Sequence, residues 1–191
     1  MAGSLRQFGF VPSPVALMAA SPAALDGFGR LLHVFERSSL APLEREVLIF
    51  TVARRNGCHY CMAMHSALTA KQGHAHLLPA LRDGAPLADA KLEALRQFVL
   101  ALLERRGAAT DEDLARFAAA GFTPENALDA VVGIGLFTLS TFANRLTRAP
   151  LDAAFEPFAW EDRAPAGRAT DCAPRGWSSE RRHHGAHWLE K

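Results

Sequence analysis

The chain has 191 residues, 49% of them hydrophobic, with 21 Lys and Arg set against 20 Asp and Glu. That length suits one domain with a sizeable core, and a formal charge of +1 gives no electrostatic reason to expect nucleic acid as a partner. The N-terminus has no continuous apolar run and no small-residue cleavage site, which speaks against a secretory signal or transit peptide, while three cysteines, two of them in one C-x-x-C, suit a reducing, cytoplasmic compartment.

Taken in order, residues 1–21 read as an arm with a short helix near Val15 to Ala20. Ser21-Pro22 then supplies an N-cap and a first-turn proline for a helix whose apolar stripe is Leu25, Phe28, Leu31, Leu32 and Phe35. His33, beside that stripe, reads as a surface or partly buried residue rather than a ligand. Pro42 opens a helix in which Val47 to Ala53 is nearly continuous in apolar residues, so it is buried on most sides and central to the core. Asn56 and Gly57 end it, and Cys58 falls in the first turn of the next helix, which runs to about Gln72 and closes at Gly73. His74, His76 and Leu77 to Leu81 suggest a short helix ending at Asp83-Gly84, with both histidines facing solvent.

Asp89 to Arg106 places Leu92, Leu95, Val99, Leu102 and Leu103 on one face of an amphipathic helix closed by Gly107. Thr110 with Asp113 resembles a capping box before a shorter helix, and Thr123-Pro124-Glu125 starts the longest, about Pro124 to Thr147. Its run from Ala130 to Ala143 is apolar all round yet shorter than the roughly 20 residues that cross a bilayer. It is therefore expected to be buried in protein, in part by a neighbouring subunit. Gly133 and Gly135 allow close helix approach, and Asn144 needs a hydrogen-bond partner if buried. The domain is expected to span 1–162, with its core at about 20–152. Residues 163–191, poor in aliphatics, read as a disordered tail. Cys172, His183, His184 and His187 there are too irregularly spaced to specify a metal site.

The chemistry concentrates between Glu46 and His65. Cys58 and Cys61 are three apart and Cys61 and His65 four apart, so on one helix the two thiols and the imidazole share a face and can meet. A thiol near the positive end of a helix is favoured as thiolate. At about 1.5 Å per residue, Glu46 lies roughly 16 Å before the turn at Gly57 and His65 roughly 12 Å after it, so an antiparallel hairpin brings them to within about one turn of the same level. Glu46 has Ile49, Phe50 and Ala53 as its helical neighbours, and such burial disfavours a charged carboxylate and suits it to proton exchange.

The order Glu46, Cys58-His59-Tyr60-Cys61, His65 and Gly73 resembles the core motif of AhpD-like alkylhydroperoxidases of the carboxymuconolactone decarboxylase superfamily. The likeness covers roughly residues 20 to 152 and is strongest from Leu43 to Gly73. It implies an all-α helical bundle built around an antiparallel hairpin carrying C-x-x-C-x-x-x-H, and a peroxidase that reduces hydroperoxides through a Cys58/Cys61 dithiol-disulfide cycle. Glu46 and His65 would then form the proton relay, a thiol or dithiol would donate electrons, and no cofactor or metal would be needed. It also implies a homo-oligomer, trimer or hexamer. Tyr60 stands where the best-studied branch carries a second histidine. Cys61 is expected to be the attacking thiol because His65 lies one turn on, with Cys58 resolving; the reverse stays open because Cys58 has the better helix-end position. The competing readings are a carboxymuconolactone-decarboxylase-like lyase, a zinc site built from Cys58, Cys61 and His59 or His65, and a non-catalytic helical oligomer.

Overall fold

Every regular element among the described residues, 8–161 of this computed structural model, is helical. The order is α1 (Ser13–Met18), α2 (Pro22–Glu36), α3 (Pro42–Arg55), α4 (His59–Lys71), a 3-10 turn (Ala75–Leu77), α5 (Leu78–Asp83), α6 (Ala90–Glu104), α7 (Asp111–Ala119), α8 (Pro124–Leu146) and a second 3-10 stretch (Ala153–Phe158). The tail expected at 163–191, with Cys172 and its histidines, lies outside the described residues.

Local signals place most of these boundaries. Ser21 Oγ accepts from the Ala24 amide, Asp89 caps α6 through the Leu92 amide, and Thr110 with Asp113 and Thr123 with Asn126 form reciprocal caps for α7 and α8. The first helix starts two residues earlier than expected because the proline at position 14, with its fixed φ, opens it.

Helix α3 is the axis of the fold and packs against α4, α6 and α8. All of Glu46 to Ala53 is buried, which is what its unbroken apolar run requires. Glu44, also buried, accepts from the Ala41 amide at 2.7 Å and pairs with Lys91 at 2.7 Å, tying α3 to α6. His33 is exposed, and only Phe35 of the α2 stripe is fully buried, the rest lying half-buried over the core.

Helix α8 departs from expectation in two ways. With 23 residues it is long and apolar enough to cross a bilayer, which the Ala130 to Ala143 run taken alone understates. It is also not buried all round: Ala130, Gly133, Leu136, Phe137, Ser140, Thr141 and Asn144 pack inward, while Leu128, Val131, Phe142 and Leu146 are exposed. Gly133 does permit close approach, since a Cβ there would meet the Phe35 ring at 2.5 Å, but Gly135 has no heavy atom within 4 Å and faces the open side.

Candidate functional site

The reactive hairpin is set by the way α3 ends. Gly57 takes φ of 60°, its amide donates to Arg54 O at 3.0 Å, and the Cys58 amide donates to Ala53 O at 2.9 Å. These are the two crossed bonds of a Schellman motif, and they need a residue at ease in the left-handed region. Cys58 is thereby the N-cap of α4 with extended backbone, one position before the first turn where the sequence placed it. The turn is clamped from α8: Arg145 donates to Asn56 O, and Asn56 Nδ2 donates to Thr141 Oγ1 at 2.9 Å.

The two thiols are both free and both buried. Asn144 Nδ2 reaches Cys61 Sγ at 3.3 Å and Cys58 Sγ at 3.7 Å, and Ser140 Oγ lies 3.9 Å from Cys61 Sγ. A hydrogen bond from the Cys61 thiol, joined by the Cys61 and Tyr60 amides and by Asn144, outweighs burial and brings the Cys58 thiol down to about 7. The cost falls on Cys61, whose thiol is pushed up because it donates to Cys58, is buried, and faces the Cys58 charge. The helix-end thiol is therefore the more readily ionised of the two.

Glu46 and His65 meet as their levels predict. His65 Nδ1 is 2.9 Å from Glu46 Oε2, with residue exposures of 6% and 7%. A carboxylate can only accept, so Nδ1 carries the proton and Nε2 is left for another partner. Nε2 is buried and has none within the protein. The His65 ring also packs edge-on against Phe137, 5.5 Å between centroids.

A cavity of about 240 Å³ is walled by Glu46 and His65 and borders the thiols only through Ser140 and Asn144, since neither cysteine lies on its lining. Its polar wall is formed by Glu46, His65, Ser140 and Asn144, and its apolar wall by Phe28, Leu32, Ile49, Met64 and Leu68. The arm before α2 closes one side through Phe8, Pro12, Pro14 and Val15. Tyr60, inside the C-x-x-C, holds that arm: its hydroxyl donates to Asp152 Oδ2 at 2.5 Å, and Asp152 also accepts from the Ser13 amide at 3.0 Å and from Ser13 Oγ. Burial first, and then Asp152, push the Tyr60 hydroxyl far above the ordinary phenol range. A phenol so committed is a strut, so it does not stand in for a second relay histidine.

The four residues singled out in the sequence fall into two pairs, Cys58 with Cys61 and Glu46 with His65, and the expected meeting of the imidazole with the thiols is not found. No hydrogen bond joins His65 to either sulfur; the thiols contact each other, Ser140 and Asn144, while His65 faces Glu46 and the cavity. The reason is that Cys58 sits at the cap rather than on the helical face shared by Cys61 and His65. Among the described residues no three His, Cys, Asp or Glu side chains form a group able to hold a metal ion, so Cys58, Cys61, His59 and His65 do not assemble the ligand set considered for zinc. Sequence reading missed the thiol-binding role of Asn144 and Ser140. The signal was there in the polar positions 140, 141 and 144, which fall on one side of an otherwise apolar helix.

An all-helical bundle that buries a C-x-x-C pair at a helix cap, beside a carboxylate-histidine pair, has the AhpD-like fold. Two solved structures share it: an alkylhydroperoxidase AhpD core, a peroxidase-related protein from Ralstonia eutropha JMP134, with a TM-score of 0.73 at 20% identity over 81% of this chain and 84% of that one, and the debrominase Bmp8 in complex with 2,3,4-tribromopyrrole, with a TM-score of 0.65 at 19% identity over 82% and 85%. Residues 19–97 match the carboxymuconolactone decarboxylase family model. No curated protein sequence matches the chain.

Proposed function

We propose that the protein is a thiol-dependent peroxidase of the cytoplasm that reduces hydroperoxides through Cys58 and Cys61. The observation that carries this reading is a buried dithiol held at both sulfurs by Asn144, a residue that also lines the cavity walled by Glu46 and His65. A thiolate and a neighbouring protonated thiol are the two species that such a cycle consumes in turn.

The Cys58 thiolate attacks the terminal oxygen of R–O–O–H. The O–O bond breaks as the S–O bond forms, the sulfur is oxidised by two electrons to a sulfenic acid, and the alkoxide leaves as ROH with a proton from the His65 imidazolium at Nε2. Glu46 accepts from Nδ1 throughout and stabilises the cationic ring. The Cys61 thiol then displaces water from the sulfenic acid, closing the disulfide, and an external dithiol reduces it by exchange.

The test is titration of free thiols and intact mass before and after one equivalent of cumene hydroperoxide. Loss of two thiols and two hydrogens, with Cys58 joined to Cys61 in the peptide map and Cys172 still free, is the expected result. An unchanged thiol count, or Cys172 in the main disulfide, would refute the cycle.

A further inference from the structure

Asn144 touches two things at once. It is 3% exposed, and its Nδ2 lies against both sulfurs. A thiolate can only accept, so the NH2 end of the amide must face the sulfur pair and the carbonyl end points elsewhere. That oxygen, Oδ1, is buried with no hydrogen-bond partner, in a residue that lines the cavity. Unpaired buried amide oxygens are rare in folded proteins. The same cavity holds a second one-sided group, His65 Nε2, whose ring is fixed from behind by Glu46.

An acceptor that stays an acceptor, and an imidazole nitrogen that donates when protonated, together match a small group carrying one hydroxyl and one acceptor oxygen. The –O–OH group has that pattern. Its hydroxyl would donate to Asn144 Oδ1 and its inner oxygen would accept from His65 Nε2–H. We infer that Asn144 is a two-sided positioning residue, whose amide NH2 orients the thiol pair while its amide oxygen docks the hydroxyl of the hydroperoxide against the attacking sulfur. This rests on the peroxidase reading and adds a specificity to it: a dialkyl peroxide, which has no hydroxyl to donate, is a poor substrate. The apolar remainder of the cavity sets the size of R.

The two roles separate in one experiment on the full chain. Cys58 alkylation by iodoacetamide is followed against pH in wild type, Asn144→Leu and Asn144→Asp, and single-turnover consumption of cumene hydroperoxide is followed over the same range. In Asn144→Leu the alkylation midpoint rises by about one pH unit, while the alkaline plateau stays within about twofold of wild type. Its peroxide plateau, measured with the thiol fully ionised, falls at least about tenfold. Asn144→Asp raises the midpoint further by adding negative charge, yet its peroxide plateau lies above that of the leucine variant because a carboxylate still accepts the hydroxyl. Wild type should consume tert-butyl hydroperoxide at least about tenfold faster than its isomer diethyl peroxide, which fills the same volume but has no hydroxyl to donate.

An unchanged peroxide plateau in Asn144→Leu overturns the docking role, and an unchanged midpoint overturns the orienting one. Should Asn144→Leu fail to give a wild-type circular dichroism spectrum, Asn144→Asp decides: a midpoint at the wild-type value, or a peroxide plateau abolished while its alkylation plateau persists, overturns the inference. Failure of wild type to consume any hydroperoxide would instead remove the peroxidase reading, and the docking role with it, while the alkylation midpoints still decide whether Asn144 orients the thiols.

Discussion

Gly133 is where packing and site meet, and replacing it by alanine gives a signed prediction. A Cβ there would lie 2.5 Å and 2.8 Å from two carbons of the Phe35 ring and 2.9 Å from Leu48 Cδ2. Phe35 is fully buried and packs edge-on against Phe137 at 5.9 Å, and Phe137 in turn packs against His65, so the ring can give way only toward the cavity it lines. Overpacking of this kind costs about 1–3 kcal/mol, and alanine returns about 1 kcal/mol of helix propensity. From the middle of that range the expected net loss is about 1 kcal/mol, or a Tm lower by about 2–4 °C for a chain of this size. Gly135→Ala, with nothing within 4 Å of the new Cβ, is the control and should gain up to about 1 kcal/mol. Urea unfolding followed by circular dichroism at one protein concentration compares the three proteins. Gly133→Ala as stable as wild type would refute the packing argument. Loss of stability in Gly135→Ala would show that the open side of α8 is closely covered. Since Phe35 also lines the cavity, Gly133→Ala should slow hydroperoxide reduction more than it slows Cys58 alkylation.

Three further outcomes follow from the site and the α8 surface. Glu46→Gln and His65→Ala should each slow peroxide reduction, by about 10² to 10⁴ if His65 is the general acid, with the double variant losing far less than the product of the single losses; fully multiplicative losses would separate the two residues. Alkylation of Cys58 should rise about tenfold per pH unit up to a midpoint near 7 and level off above it, since only the thiolate reacts and the thiol sits at about 7 rather than its ordinary 9; a midpoint at 9 would remove the cap and Asn144 effects. Between those two pH values the folded chain holds fewer protons at Cys58 than the unfolded chain, so this residue adds stability as pH rises through that window and loses it as pH falls through about 7. Finally, the exposed Leu128, Val131, Phe142 and Leu146 lead us to propose a homo-oligomer, trimer or hexamer, that buries this face of α8. Light scattering should show it in wild type and in a chain ending at residue 162, and a Leu128→Lys, Phe142→Lys variant should be monomeric; a monomeric wild type at micromolar concentration would refute it.

Much of this protein was legible before any coordinates, because the deciding signals are local. Caps at Ser21, Asp89, Thr110 and Thr123 satisfy amides within their own first turns, and the turn at Gly57 closes α3 through bonds that reach back only three and five residues. The Glu46–His65 pair was legible for a related reason: two helices joined by a tight turn fix each other's level by residue count alone. Other features depend on residues distant in sequence that periodicity cannot bring together. Asn144 meets the thiols across 83 and 86 residues, Asp152 meets Tyr60 across 92, and neither spacing leaves a pattern in the chain. Which thiol ionises was likewise open, because the cap position favours Cys58 and the shared helical face with His65 favours Cys61. The tertiary structure decided it by directing the donors. The Cys61 thiol, two backbone amides and Asn144 converge on Cys58, whereas Cys61 is fully enclosed and beside the resulting charge. The sequence alone determined the helices, the hairpin and the residue types of the site, since those follow from short-range hydrogen bonding and apolar periodicity. Only packing α8 against that hairpin decided which distant side chains meet the thiols and which stand at the cavity.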